Sequence, residues 1–216
     1  MKIAVTSTDP RLAARLRAEG LDVVECPLIR IDPIDGPPLR VADYDWVVLT
    51  SRNAVEELFR RLEGPLPRVA AIGPGTAAAL GAHGVEPDLV ARCSTQEGLL
   101  EELPRPVGRV LLPAAADARQ LLVEELDADF VPLYRTVELE PESFPGADLV
   151  VLASASAARA FARTGSGTPC VSIGPVTTAE AEGLGLTVVA EAEAHDLEGV
   201  TQAVKLAASR AGSSPS

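Results

Sequence analysis

The stretch Ile72-Gly73-Pro74-Gly75-Thr76-Ala77-Ala78 returns further along the chain as Ile173-Gly174-Pro175-Val176-Thr177-Thr178-Ala179. In both copies an apolar run, Val69 to Ile72 or Cys170 to Ile173, stops at Gly-Pro and gives way to a segment rich in Ala, Leu and Glu. This reads as strand, tight turn and helix. Pro lacks an N–H and has a fixed φ, which suits a first helical turn, while Gly permits backbone geometry closed to other residues. The free N–H groups of each new helix, at the positive end of its dipole, then suit an anion. One such turn reads simply as a capped helix start. Two at matching places point to a duplicated site.

Self-comparison extends the match. Asp45-Trp46-Val47-Val48-Leu49-Thr50-Ser51 parallels Asp148-Leu149-Val150-Val151-Leu152-Ala153-Ser154, and Gln96-Glu97-Gly98-Leu99 parallels Leu197-Glu198-Gly199-Val200. Pro27-Leu28-Ile29-Arg30 likewise parallels Pro132-Leu133-Tyr134-Arg135. Between these landmarks short apolar runs alternate with helical spacing, beginning with Ile3 to Thr6 and then Leu12 and Leu16. Such alternation predicts an α/β chain with parallel sheets covered by helices on both faces. Val23 to Ile31 and Phe130 to Val137 read as unusually long strands, Ser94 and Glu97 as a capping box, and Ala118 to Leu126 as a helix opened by Arg119. The repeat alone places a domain break near Pro104 to Val107. Two similar units facing each other would hold ligands at the carboxyl ends of their strands, in the cleft between them.

Composition narrows the function classes. The 216 residues suffice for one large α/β domain or two smaller ones, and 47% hydrophobic content gives ample core. A formal net charge of −12 without a basic block argues against general binding to nucleic acid or an anionic membrane. Any anionic ligand must then be held by local N–H groups and a few placed arginines. Cys26, Cys93 and Cys170 are odd in number and lack metal-like spacing, so they read as reduced thiols of a cytoplasmic protein. With only His83 and His195, read as solvated helix-end or loop residues, no metal site is expected. No signal peptide or membrane-spanning run is read, and residues 208–216 read as a disordered tail by composition.

Hydroxyls gather at the expected strand ends: Thr6 and Ser7, Thr50 and Ser51, Ser154 and Ser156, with Thr76 and Thr177 in the turns that follow. Each alone fits an N-cap; together, beside backbone N–H groups, they resemble a rim that grips carboxylates or phosphates. Neither His lies where it could activate a serine, which argues against a hydrolytic triad. Gly73-Pro74-Gly75-Thr76 is neither a P-loop nor a dinucleotide fingerprint. Tyr134 stands on a long strand, where its phenol either donates a proton or closes a hinge. Arg119 and Arg52 either reach a bound carboxylate or stay solvated.

Through Val48-Leu49-Thr50-Ser51-Arg52-Asn53-Ala54-Val55, Ile72-Gly73-Pro74-Gly75-Thr76, Pro132-Leu133-Tyr134-Arg135-Thr136 and Ile173-Gly174-Pro175-Val176-Thr177, the chain resembles uroporphyrinogen-III synthases over nearly its full length. The resemblance implies two flavodoxin-like domains joined by a two-stranded β-ladder. It also moves the boundary: residues 1–34 plus 140–207 form one domain, 35–130 the other, and 23–31 with 130–139 the ladder. The implied reaction needs no cofactor. Hydroxymethylbilane loses water and closes to uroporphyrinogen III, its last pyrrole ring inverted through a spiro intermediate, for haem, sirohaem or cobalamin synthesis. Tyr134 corresponds to the family's tyrosine, expected to assist loss of the hydroxyl. The substrate-binding positions implied are Thr50, Ser51, Arg52, Gly73, Thr76, Arg119, Ser154, Gly174 and Thr177. A monomer is implied, with the upstream hydroxymethylbilane synthase as its expected contact. The chain departs from the family in having Ser7-Thr8-Asp9 where many members carry an Arg, and Ala153 where the first repeat has Thr50. A competing reading, from another class, is a non-catalytic two-lobed module that closes on an anionic small molecule.

Overall fold

The computed structural model describes residues 1–140 and 144–212. The first elements along the chain are β1 (Lys2–Val5), α1 (Pro10–Ala18), β2 (Asp22–Glu25), β3 (Ile29–Pro33), β4 (Leu39–Arg40), β5 (Trp46–Leu49) and α2 (Arg52–Arg61). Then come β6 (Leu62–Glu63), β7 (Arg68–Ala71), α3 (Pro74–Ala82), β8 (Leu89–Val90), α4 (Gln96–Glu102), β9 (Val110–Ala115) and α5 (Leu121–Leu126). The last are β10 (Asp129–Glu138), β11 (Leu149–Leu152), α6 (Ala155–Arg163), β12 (Cys170–Ser172), α7 (Pro175–Gly183), β13 (Val188–Glu191) and α8 (Leu197–Gly212).

The chain divides into two compact units, Met1–Arg30 with Val137–Ser216 and Ile31–Thr136. The first unit's sheet runs β13-β12-β11-β1-β2 and is parallel throughout. That of the second runs β3-β10-β9-β5-β7-β8, with parallel pairing from β10 to β8. The parallel sheets follow from strands that are apolar on both faces. In β5, Val47 and Leu49 enter one core cluster while Trp46 and Val48 enter another. In β1, Ile3 and Val5 pack on one side and Ala4 on the other. A two-residue side-chain period with both faces buried needs helices on both sides, which short crossover connections supply.

The expected long strand Val23 to Ile31 is two strands. Cys26-Pro27-Leu28 separates β2, which pairs with β1 in the first unit, from β3, a neighbour of β10 in the other sheet. Pro27 has no N–H to give to a ladder, so the strand is interrupted where the chain changes sheets. The pairing of β3 with β10 extends past the bounds of both strands. Its ends are marked by Ile34 N–H donating to Leu133 O and Leu139 N–H donating to Leu28 O, each 2.8 Å. β10 spans ten residues, and its own proline, Pro132, sits at a shift of register in its pairing with β9.

Helix α8 continues to Gly212, past Ala208, where composition predicts the tail to begin. The segment is Ala-rich, a strong helix-forming composition, and Ala203, Val204 and Ala207 bury one face of it. The rest of the predicted tail, 213–216, lies outside the described residues. No helix among the described residues is long and apolar enough to cross a membrane.

Candidate functional site

Parallel strands bring all their carboxyl ends to one edge, and in each unit that edge carries the predicted groups. In the second unit α2 follows β5 and α3 follows β7; in the first, α6 follows β11 and α7 follows β12. Two kinds of helix start result. Ser51 and Ser154 are side-chain N-caps, their Oγ atoms accepting from Ala54 N–H at 3.0 Å and Ala157 N–H at 3.1 Å. Gly73 and Gly174 precede α3 and α7, where no side chain caps the first turn. The serines thus satisfy their own helices, whereas at the Gly-Pro turns no side chain takes a first-turn N–H. Pro has none to give and Thr76 N–H donates back to Gly73 O at 3.1 Å, which leaves the N–H of Gly75, and of its counterpart Val176, for an outside acceptor.

Thr76 and Thr177 are only 5% and 4% exposed, so the backbone, more than the threonine hydroxyls, offers the turn's surface. Both turn glycines have extended φ values, 176° and 167°, which any residue can adopt. Close approach is what requires them. A Cβ on Gly73 would collide with the Ser94 hydroxyl, and one on Gly174 would lie 2.6 Å from His195 Nε2. Ser94, expected to cap α4, therefore faces the turn instead. Thr95 is the cap, accepting from Gly98 N–H at 3.0 Å.

Tyr134 is 5% exposed and packs in the core cluster with Leu49, Val55 and Leu133. Its register partner is Ala115, at the carboxyl end of β9, after a bulge between Pro132 and Tyr134. The phenol oxygen lies 2.8 Å from Ser51 Oγ. Burial raises the Tyr134 pKa, and hydrogen bonds from Ser51 and Asn53 only partly offset it, with the Asp117 and Glu57 charges raising it further. The group is thus a protonated phenol at neutral pH, with an O–H available to donate a hydrogen bond.

Arg119 lies in the loop before α5, which starts at Leu121, and does not open that helix. Its guanidinium is paired with Glu97 at 2.6 Å on an exposed surface. Gln96 Nε2 donates to the Arg119 carbonyl at 3.4 Å, while the buried Gln96 Oε1 has no partner. Thr50 is partly buried between β5 and α2. Arg52 is the first residue of α2, its pKa lowered by burial against the opposing charge of Glu56. The Cys170 thiol is pushed up to about 12 by burial and is chemically quiet. Among the described residues no group of three or more His, Cys, Asp or Glu side chains is placed to hold a metal ion.

Five residues at these strand ends and turns were not picked out as site candidates in the sequence reading: Asn53, Ser172, Thr178, Glu191 and His195. Asn53 reaches the Tyr134 phenol. In the first unit Ser172 Oγ lies 2.6 Å from Thr178 Oγ1, and Thr178 in turn donates to Glu191. His195 packs on Gly174. The constant spacing between Gly73 and Gly174, Gly98 and Gly199, or Ser94 and His195 was the available signal for the last.

A family model described as "Uroporphyrinogen-III synthase HemD" matches residues 10–202. The chain is 29% identical over 235 residues to a uroporphyrinogen-III synthase of Synechococcus elongatus, an alignment covering 89% of each. It is 38% identical over 97 residues to a putative uroporphyrinogen-III synthase of Methanothermobacter thermautotrophicus, over 41% of this chain and 38% of that one. Among solved structures, the uroporphyrinogen-III synthetase of Helicobacter pylori 26695 superposes with a TM-score of 0.66, covering 97% of this chain and 99% of that chain. A mutant uroporphyrinogen III synthase of Thermus thermophilus gives 0.63 with the same coverages. Both are 18% identical to this chain, so they speak for the fold.

Proposed function

The chain belongs to the uroporphyrinogen-III synthase family, and from that membership we propose that Tyr134 and the two Gly-Pro turns carry out its reaction here. The enzyme is a lyase of tetrapyrrole synthesis. The observation that carries the assignment is the family match across residues 10–202.

The buried Tyr134 phenol supports a role as proton donor. In the proposed step the C–O bond of the substrate's hydroxymethyl group breaks and the hydroxyl departs as water with the phenolic proton. Ring closure through the spiro carbon, with inversion of the last pyrrole, then releases one proton, which returns to the tyrosinate. Atoms and charge balance without a cofactor. Ser51 and Asn53 hold the phenol oxygen and stabilise the transient anion.

The substrate's carboxylates suit the uncapped turns at Gly73 and Gly174, where oriented N–H groups attract anions despite the acidic chain. Thr50, Arg52, Thr76, Arg119, Ser154 and Thr177 complete the binding set in this reading. Arg119 must exchange Glu97 for a substrate acid, an exchange of like partners on an exposed surface. Much of the acceleration then comes from holding the linear chain folded so that inversion outruns simple closure.

The proposal extends to a monomeric cytoplasmic enzyme that receives its short-lived substrate from hydroxymethylbilane synthase by direct contact. Sedimentation of the two proteins, alone and mixed, tests this part. The central test is incubation of purified protein with freshly made hydroxymethylbilane, followed by separation of the III and I isomers. Formation of the III isomer is expected. The I isomer alone, as in buffer, sinks the assignment and leaves the non-catalytic binding module.

A further inference from the structure

The two Gly-Pro turns share their backbone design and differ in chemistry. In each unit a loop is pressed between two glycines. Cys93-Ser94 lies between Gly73 and Gly98, where a Cβ on Gly98 would come 2.5 Å from Cys93 O. Ala194-His195 lies between Gly174 and Gly199, where a Cβ on Gly199 would collide with Ala194 O. Thr95 and Asp196 follow as equivalent caps, with Asp196 Oδ1 accepting from Gly199 N–H at 2.8 Å. Against the turn glycine, the second unit sets a hydroxyl and the first an imidazole.

The surroundings differ in a way that accounts for this exchange. In the register of the sheets Ser172 stands opposite Glu191, and Ala71 opposite Val90. Glu191 is hydrogen-bonded to Thr178 in the first turn of α7, so a resident carboxylate already faces that turn. The corresponding residues in the second unit, Ala71, Ala77 and Val90, carry no charge. A second carboxylate approaching the Gly174 turn meets repulsion from Glu191 that one approaching Gly73 does not meet. An added hydrogen-bond donor at this point offsets that repulsion. His195 is partly exposed, and among the described residues its ring nitrogens have no hydrogen-bond or ion-pair partner.

We infer that His195 is a substrate-binding residue of the first unit, donating a ring N–H to a carboxylate side chain of the tetrapyrrole at the Gly174 turn. The inference rests on the proposed function for the identity of the ligand. Its geometrical basis is separate: Gly174 and Gly199 both leave room that the loop carrying His195 occupies. Asp196, the adjacent acid, is engaged with Gly199 N–H.

The experiment compares His195→Ala and His195→Gln with the wild type in steady-state formation of uroporphyrinogen III and in calorimetric titration with uroporphyrin III, a stable octacarboxylate. Loss of a hydrogen bond to a charged group predicts a KM for hydroxymethylbilane about tenfold higher in His195→Ala, with kcat nearly unchanged. The glutamine variant, which keeps an N–H donor, recovers most of the loss. Unchanged KM in the alanine variant overturns the inference. Equal impairment of both variants together with a lowered unfolding midpoint does so too, because it shows packing alone. If the wild type forms no III isomer, the proposed function fails, and the titration decides the role of His195. Weaker porphyrin binding by His195→Ala then supports it, while equal binding, or none by the wild type, overturns it.

Discussion

Tyr134 Oη lies 2.8 Å from the Oγ of Ser51, the same hydroxyl that accepts Ala54 N–H and caps α2. One serine oxygen thus joins the strand bearing the phenol to the start of a helix at the rim. Ser51 has two lone pairs and one proton, so it can accept from the helix and still exchange a hydrogen bond with the phenol.

Tyr134→Phe removes the phenol and leaves the helix cap. The expected result is slower formation of uroporphyrinogen III and a product mixture shifted toward the I isomer, read by separating the isomers. Stability should fall by only about 1 kcal/mol in denaturant unfolding, the usual net worth of one hydrogen bond. Wild-type rates in a folded Tyr134→Phe would remove the proposed proton role.

Because burial raises the Tyr134 pKa, the donor remains protonated across neutral pH. Its contribution to folding is fully present below the unfolded tyrosine value of about 10 and is lost as pH rises through the higher folded value. For catalysis, the alkaline limb of the pH–rate profile should lie above the ordinary tyrosine value, and Tyr134→Phe should abolish that limb. An alkaline limb retained in the phenylalanine variant would assign it to another group.

Ser51→Ala and Ser154→Ala remove equivalent caps, and each should cost about 1 kcal/mol of stability. Their effects on turnover should separate, because Ser51 also touches the phenol and Ser154 has no tyrosine contact among its described hydrogen bonds. A larger drop in kcat for Ser51→Ala is expected. Equal drops would mean that both serines act only as caps.

Gly73→Ala drives a methyl group into the Ser94 hydroxyl. Displacement of the turn should raise KM and lower stability. The double variant with Ser94→Gly removes the clashing atoms and should recover both, a coupling that additive effects at independent sites would not show. Additive losses would place the damage elsewhere.

Arg119→Ala should raise KM with little effect on folding, because its pair with Glu97 is exposed and such pairs contribute little to stability. Glu97→Gln weakens the internal competitor and should leave KM unchanged or lower it. A Glu97→Gln variant as impaired as Arg119→Ala would show that the pair itself, rather than a free guanidinium, is what the reaction uses.

Much of this protein can be read along the chain. Short apolar runs alternating with helical spacing predict covered parallel sheets, and the repeated Gly-Pro turns, with the motifs around them, predict rims and family. These are local signals, since burial period and turn chemistry are properties of neighbouring residues. The break at Pro27 was legible in principle, because proline cannot donate to a ladder, yet the apolar run around it concealed the change of sheet. The meeting of Ser51 with Tyr134, 83 residues apart, came only with the tertiary structure. So did the seating of Ser94 and His195 on their glycines, the pairing of Arg119 with Glu97 and the burial of Thr76 and Thr177. These arrangements depend on which crossover brings which loop against which strand end. The sequence names the residues at a rim by type and order; only packing decides which of them face a ligand and which serve the helix behind them.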